Sequence, residues 1–315
     1  MEAASVQSGI IAENASDQLF LLGRDIAHSL SPLLQNAAML TLGLPWTYGL
    51  RDEAAAEDAR AFIESRAFRA INVTTPYKAL ALECADRVEK TNALCASIDA
   101  AGFEGVDIER LAAAGLPGAN VLINDASGLA AYNTDGEGAR LSLESEEISF
   151  GASRVLVCGT GVTAHAIARA AKFAGASDVH MLSRTTCAEG IVRYDEARDL
   201  FAASDIVINA TPVGMCEADT LPFCEDWLKS DHVVLDAVYG HGDTPFARAA
   251  KRVGCRFFDG QGMLVCQAAL TLLLVITHAR ASQEITHAPQ TSFDDIRSIM
   301  TDALQDCHRA AHAVQ

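Results

Sequence analysis

The sequence predicts an α/β protein built from two domains, and three observations lead to this prediction. The chain has 315 residues, which is enough for two separate cores. Short apolar runs alternate with segments of helical spacing over residues 19–88, as in a mostly parallel sheet. A second alternating series begins with RVLVCGTGVTA at Arg154, and long helical segments follow from Met263 onwards.

The first domain begins with an apolar strand, LFLLG, at residues 19–23. Ser31 and Pro32 then predict a helix start, with serine as the N-cap and proline at the first helical position. A hairpin is predicted at 120–131, with the turn NDASG. The other predicted elements of this domain are helices at 53–65 and 78–88 and a strand at 69–74.

The second domain is predicted over residues 136–262, from its strand, glycine turn, helix and strand pattern. Residues 1–135 and 263–315 are assigned to the first domain, which the C-terminal helices complete. Ser292 is the expected N-cap of the last helix. The longest apolar run, LTLLLVI at 270–276, is too short to span a bilayer and suits a buried helix.

Composition narrows the class of partner. The chain has 24 basic and 41 acidic residues, so its formal net charge is 24 − 41 = −17. This charge argues against nucleic acid or an anionic membrane as a partner and leaves a small molecule as the expected ligand. The nine cysteines form no C-x-x-C pair or zinc-type spacing, and the N-terminus has no signal-peptide pattern. We therefore expect reduced thiols, no metal, and a cytoplasmic location.

A glycine turn in the second domain predicts a Rossmann-like dinucleotide site. Gly159, Gly161 and Ala164 form G-x-G-x-x-A between an apolar strand and a helix, which is the context that this fingerprint requires. Such a turn lets backbone N–H groups approach a pyrophosphate at the helix N-terminus. The alternative is a tight turn with only a structural role. The residues assigned to this turn are Gly159, Thr160, Gly161, Val162 and Thr163.

The end of the next strand favours NADP over NAD. Ser183, Arg184 and Thr185 stand where an NAD site usually has Asp or Glu, and an arginine suits a 2′-phosphate. The alternative interpretation is that Arg184 is only a solvated surface residue. NAD stays an alternative cofactor, because no second basic residue follows Arg184 closely.

Seven motifs, taken in order, resemble the shikimate dehydrogenase family, including its quinate-using members. They span roughly residues 19–280 and read IAHSLSP, NVTTPYK, NTDG, GTGVTA, SRT, NATPVGM and DGQGMLVCQA. The resemblance implies an oxidoreductase of aromatic amino acid biosynthesis, the chorismate pathway, that reduces 3-dehydroshikimate to shikimate with NADPH. It also implies a monomer or homodimer.

The resemblance assigns a role to each motif residue. It makes Lys78 and Asp135 the catalytic pair, with Lys78 as general acid and base. The implied substrate-binding residues are Ser29, Ser31, Asn72, Thr74, Asn120, Tyr239 and Gln267. Residues implied along the cofactor, besides the two turns above, are Asn209, Ala210, Thr211, Gly262 and Met263.

The sequence leaves three alternatives open, which concern one binding residue, the substrate and catalytic activity itself. Asn92 in KTNAL is a rival to Asn120, because the segment before Asn120 is long and irregular. Quinate or an aminated analogue of shikimate is an alternative substrate. A paralogue that keeps the fold and binds ligand without turnover is an alternative of a different class.

Overall fold

The computed structural model of the chain describes residues 18–88, 106, 108–285 and 291–313. It divides into two compact units, Met1–Asn133 with Ala268–Gln315, and Thr134–Gln267. Each unit combines helices with one β-sheet. The predicted two-domain α/β class is therefore confirmed.

The first unit contains a mixed sheet of five strands in the order β2-β1-β3-β4-β5. Strands β2, β1 and β3 are parallel, whereas β4 and β5 are antiparallel to their neighbours. The strands are β1 (Gln18–Gly23), β2 (Thr47–Asp52), β3 (Ala70–Val73), β4 (Val121–Asp125) and β5 (Gly128–Tyr132). The helices that connect them are α1 (Ser31–Thr41), α2 (Ala56–Ser65) and α3 (Lys78–Glu83), with a 3₁₀ turn at Ile108–Leu111.

This topology brings several chain segments to one edge of the first sheet. Asn72 at the end of β3 pairs with Val121 at the start of β4. Val121 in turn pairs with Tyr132 at the end of β5. The loops after β1, β3 and β5 and the loop before β4 therefore meet at the carboxyl edge of the parallel strands.

Two local predictions were wrong in their boundaries. Helix α1 begins at Ser31 itself, and Leu30 holds the N-cap position. The Ser31 hydroxyl accepts a hydrogen bond from Ser29 and does not cap the helix. Helix α3 ends at Glu83 and not at residue 88, because the chain turns at Cys84 and Arg87 then bridges to Ala130 of β5. The hairpin predicted at 120–131 is confirmed.

The second unit contains a six-stranded parallel sheet in the order β11-β10-β9-β6-β7-β8. The strand order reverses between β6 and β9, which makes that position the topological switch point. The strands are β6 (Arg154–Cys158), β7 (Asp178–Ser183), β8 (Ile191–Arg193), β9 (Ile206–Asn209), β10 (Val233–Asp236) and β11 (Arg256–Phe258). The helices are α4 (Asp135–Glu144), α5 (Val162–Phe173), α6 (Arg198–Ala203) and α7 (Pro245–Val253).

Two long helices follow, α8 (Gly260–Ala281) and α9 (Phe293–Ala313). Helix α8 is long and apolar enough to cross a membrane, but 89% of its most apolar 18-residue stretch is buried inside the structure. It is therefore a core helix, as the sequence predicted for its LTLLLVI run. Ser292 caps α9 as predicted, since its hydroxyl accepts the N–H of Asp295 at 3.2 Å.

Candidate active site

The turn that carries Lys78 is anchored on both sides within the first unit. The buried Tyr77 donates its hydroxyl to the Glu53 carbonyl at 2.6 Å, which fixes the turn to the end of β2. Lys78 is the first residue of α3 and is half-buried. Its carbonyl accepts the N–H of Ala119 at 2.9 Å. The lysine therefore projects from a backbone held at the carboxyl edge of the sheet.

Thr74 lies at the same edge, in close contact with β1. Its N–H donates to the Leu22 carbonyl at 2.9 Å. A Cβ added at Gly23 would lie 2.5 Å from Thr74 Cγ2, so only glycine leaves room for this threonine. The closeness of these two strand ends explains why a glycine ends the first strand.

Asn72 is the centre of a buried neutral network. Tyr48 donates its hydroxyl to Asn72 Oδ1 at 2.9 Å, and Asn72 Nδ2 donates to Thr271 Oγ1 at 3.0 Å. These bonds fix the orientation of the amide and leave Nδ2 one further N–H. Sequence reasoning missed Tyr48 and Thr271 as partners, because they come from β2 and α8, far away in the chain.

The two serines of the first motif lie side by side at the start of α1. Ser29 Oγ accepts the N–H of Ser31 at 3.2 Å and donates to Ser31 Oγ at the same distance. Two hydroxyls at a helix start are a suitable environment for an anion, because the helix N-terminus carries partial positive charge. Ser31 is only 6% exposed, and Ser29 is half-buried.

Asn120 lies at the same edge as Asn72, directly before β4. Its carbonyl accepts the N–H of Val73 at 2.8 Å, and its N–H donates to the Tyr132 carbonyl at 3.1 Å. Its side chain is 3% exposed. The rival Asn92 lies outside the described residues.

The glycine turn of the second unit lies at the switch point of its sheet. Gly159 has φ of +113°, and a Cβ there would lie 3.0 Å from the Ala210 carbonyl oxygen and from Thr211 Cγ2. Around Gly161, in contrast, an added Cβ would meet nothing within 4 Å. The turn thus packs against the loop after β9 on one side and is open on the other.

Helix α5 starts from this turn, and its N-cap residue has no side chain that could cap the helix. Gly161 is the N-cap and makes no side-chain hydrogen bond to the helix. Uncapped N–H groups at a helix start can bind a phosphate oxygen. Thr163, in the first turn, donates its hydroxyl to Asp135 Oδ2 at 3.0 Å, which ties α5 to the start of α4.

A buried carboxylate organises the loop after β9. Asp236 is fully buried and accepts hydrogen bonds from Asn209 Nδ2 at 2.8 Å and from Thr244 Oγ1 at 2.6 Å. Asn209 Oδ1 accepts both the N–H and the hydroxyl of Thr211, at 3.0 and 2.6 Å. Asp236 was not among the predicted site residues, although it ends an apolar strand in VVLDAVYG.

The turn after β7 presents Arg184 to solvent. Ser183 is 6% exposed, and its Oγ accepts the N–H groups of Thr185 and Thr186 at 3.2 and 3.0 Å. This side chain therefore shapes the turn, and Arg184 and Thr185 are exposed on it. An exposed guanidinium at this strand end is accessible to an anionic ligand.

The remaining predicted residues lie after β10 and along the start of α8. Tyr239 is half-buried, Gly262 is exposed, and Met263 is buried in the core of the second unit. Gln267 donates Nε2 to the Leu264 carbonyl at 2.9 Å. Within the described part of the chain, no group of three His, Cys, Asp or Glu side chains is placed to hold a metal ion.

Comparison with known proteins gives a consistent result. The family model described as the shikimate dehydrogenase substrate binding domain matches residues 21–101. A shikimate dehydrogenase (NADP(+)) from Moorella thermoacetica is 30% identical over 81% of this chain and 86% of its own length. One from Methanothrix thermoacetophila is 32% identical over 79% of this chain and 87% of its own.

A solved structure that resembles this chain belongs to the same kind of enzyme as these sequence relatives. It is the shikimate 5-dehydrogenase from Thermus thermophilus in complex with NADP(H) and shikimate. Its TM-score with this chain is 0.68 at 26% identity, and the match covers 91% of this chain and 99% of that one.

Proposed function

The chain belongs to the shikimate dehydrogenase family, and we propose that it catalyses the NADP-dependent, reversible reduction of 3-dehydroshikimate to shikimate. The observation that carries the proposal is the anchored turn Thr74–Lys78. It places a lysine at the sheet edge where Asn72, Thr74 and Asn120 also lie. An ammonium among neutral hydrogen-bonding groups suits a polyhydroxylated ketone.

Lys78 is the proposed general acid. When the ring ketone is reduced, its oxygen gains negative charge, and an ammonium can stabilise this charge and donate the proton. In the oxidative direction the neutral amine accepts the proton of the substrate hydroxyl. The hydrogen bonds of the Tyr77 hydroxyl and of the Lys78 carbonyl support this role, because proton transfer requires a fixed donor position.

Asp135 is the proposed second catalytic residue. It begins α4, is 5% exposed, and accepts the Thr163 hydroxyl at Oδ2. A carboxylate can accept a hydrogen bond from a substrate hydroxyl. Ser29 and Ser31 are the proposed ligands of the substrate carboxylate. Asn72, Thr74, Asn120, Tyr239 and Gln267 are the proposed partners of the ring and its hydroxyls.

The donor groups of the second unit fit NADP. When bound, the nicotinamide supplies or accepts the hydride. The open turn at Gly161 and the N-terminus of α5 would hold the pyrophosphate. Arg184 would hold the 2′-phosphate, and the loop Asn209–Thr211 would line the site. In this proposal residues 136–262 are the cofactor domain, and residues 1–135 with 263–315 are the substrate and catalytic domain.

The proposal includes a cellular setting and keeps one alternative. The substrate is a small molecule, and we place the protein in the cytoplasm as a monomer or homodimer. Quinate or an aminated analogue with NAD is the second candidate. Its support is the single arginine in the SRT turn, which is a weak basis for excluding NAD.

Absorbance at the nicotinamide band tests the function directly. Purified protein receives shikimate or quinate, each with NADP⁺ or NAD⁺. We expect the nicotinamide cofactor to be reduced fastest in the mixture of shikimate and NADP⁺. A higher rate with quinate or NAD⁺ would replace the proposal with the second candidate. Binding of shikimate without reduction in any mixture would indicate a paralogue that only binds.

A further inference from the structure

The proposed 2′-phosphate site has only one cation in its own turn. Arg184 is followed by Thr-Thr-Cys-Ala-Glu, which contains no Lys or Arg. The chain as a whole carries a net charge of −17, so a phosphate dianion requires local positive charge to bind. A second cation from another part of the structure would strengthen the binding of such a dianion.

The short strand β8 brings such a cation to the same place. Strand β8 runs parallel to β7, and Ser183 pairs with Arg193 in their register. Both residues are the last of their strands, so they lie at the same carboxyl edge. Neighbouring strands are about 4.8 Å apart, and paired residues lie on the same face of a sheet. Arg193 thus stands beside the start of the Ser183–Cys187 turn.

The surroundings of Arg193 agree with this placement. Its side chain is 46% exposed, and its Nε donates to Asp195 Oδ1 at 2.9 Å. This hydrogen bond is the main reason that the pKa of Arg193 is raised, and Cys187 at the end of the turn adds a small contribution. Burial raises the pKa of the adjacent Tyr194, and nearby Arg184 opposes that rise. Arg184 therefore lies within the turn, and Arg193 lies beside it.

We propose that Arg193 is the second cation for the 2′-phosphate of NADP, beside Arg184, and that Asp195 is the carboxylate it releases on binding. This inference rests on the proposed NADP dependence. An exposed ion pair is weak, because water screens both charges. A phosphate dianion offers the guanidinium a second set of paired acceptors with more charge, so the exchange is favourable.

The chain offers a matched control for Arg193. Arg154 is 49% exposed and pairs with Asp205, with Nη2 at 2.7 Å from Oδ1. It is the first residue of β6, so it lies at the opposite edge of the same parallel sheet. Replacing either arginine by glutamine removes one exposed cation and one ion pair, but only Arg193 lies near the turn.

Calorimetric binding of two adenosine probes tests the inference. The probes are adenosine 2′,5′-bisphosphate and adenosine 5′-monophosphate, and thermal unfolding confirms that each variant is folded. We expect Arg193→Gln to weaken bisphosphate binding about tenfold, with monophosphate binding unchanged. Arg154→Gln should change neither. Asp195→Asn should strengthen bisphosphate binding several-fold, because the guanidinium no longer has a competing carboxylate.

The outcomes separate the two proposals. If the wild-type protein binds the bisphosphate no better than the monophosphate, the proposed preference for NADP fails. If the wild type discriminates but Arg193→Gln binds the bisphosphate as tightly as Arg154→Gln does, NADP dependence stands and the role of Arg193 is overturned.

Discussion

Two carboxylates, one in each unit, show opposite ways of holding a negative charge. Asp125 ends β4 in the first unit, where its Oδ2 lies 2.7 Å from Arg87 and 2.8 Å from His278 Nδ1. Asp236 ends β10 in the second unit, and its donors are neutral: Asn209, Thr244 and the N–H of Val238.

The difference in partners gives a difference in acidity. Burial raises the pKa of Asp125, but the hydrogen bonds with His278 and Arg87 outweigh it and lower the pKa to about 2. Burial also raises the pKa of Asp236, and there its neutral donors only partly offset the rise. The hydrogen bonds with Arg87 and His278 make Asp125 a stabilising cross-link. Burying the charge of Asp236 costs stability. Its hydrogen bonds, however, fix the shape of the loop Asn209–Thr211.

The largest expected effect comes from Asp236→Ala. This change leaves three buried donors without an acceptor, and such orphaned groups should lower the free energy of unfolding by roughly 3 to 5 kcal/mol. It should also weaken NADP binding, because Asn209 loses its anchor. Urea unfolding and cofactor titration measure both effects.

Asp231→Ala is the matched control for this variant. Asp231 is exposed and lies just before the start of the same strand, so its removal should change stability by less than about 0.5 kcal/mol. Equal stability losses in the two variants would contradict an organising role for Asp236.

A smaller effect, with a defined pH dependence, is expected for Asp125→Asn. A pKa lowered from 3.8 to about 2 corresponds to roughly 2 kcal/mol of stability at neutral pH. Because the pKa is lower in the folded state, this contribution is present above pH 4 and lost as the pH falls towards 2. The free energies of unfolding of wild type and variant, measured as a function of pH, should therefore converge over that range.

Asp236→Asn provides the opposite case. The folded state binds the Asp236 proton more tightly than the unfolded chain, so lowering the pH from neutral towards 4 reduces the stability cost of this one carboxylate. The stability of the wild type relative to Asp236→Asn should then rise as the pH falls. If the stability difference between wild type and variant changes in the same direction with pH for Asp125→Asn and Asp236→Asn, the contrast between the two carboxylates is wrong.

The smallest effect is expected from the neutral network around Asn72. Tyr48→Phe removes one hydrogen bond to Asn72 Oδ1 and should lower stability by about 1 kcal/mol. A double-mutant cycle with Thr271→Val measures coupling through the shared amide. Additive effects of the two changes would show that Asn72 does not connect them.

Features that depend on neighbouring residues in the chain could be predicted from the sequence. The glycine turn at 159–161, the hairpin at 120–131 and the Ser292 cap each follow from a local pattern. The position of Lys78 at the start of a helix after a buried strand was also predictable, because NVTTPYK follows an apolar run.

Features that depend on distant residues could not be predicted. The partners of Asn72 come from β2 and α8, and Asp236 receives donors from segments on either side of it in the chain. Strand β8 has only three residues, and its pairing with β7 depends on the sheet. The same reason explains the early end of α3, where pairing of Arg87 with β5 overrides the helical pattern.

The central claim is that Lys78 transfers the proton in a shikimate dehydrogenase reaction. The most direct test measures kcat with shikimate and NADP⁺, together with shikimate binding, in Lys78→Ala and in the exposed control Lys172→Ala. We predict that Lys78→Ala lowers kcat by roughly 10²- to 10⁴-fold while binding stays measurable, and that the control keeps wild-type values. A kcat in Lys78→Ala equal to that of the control would contradict the account.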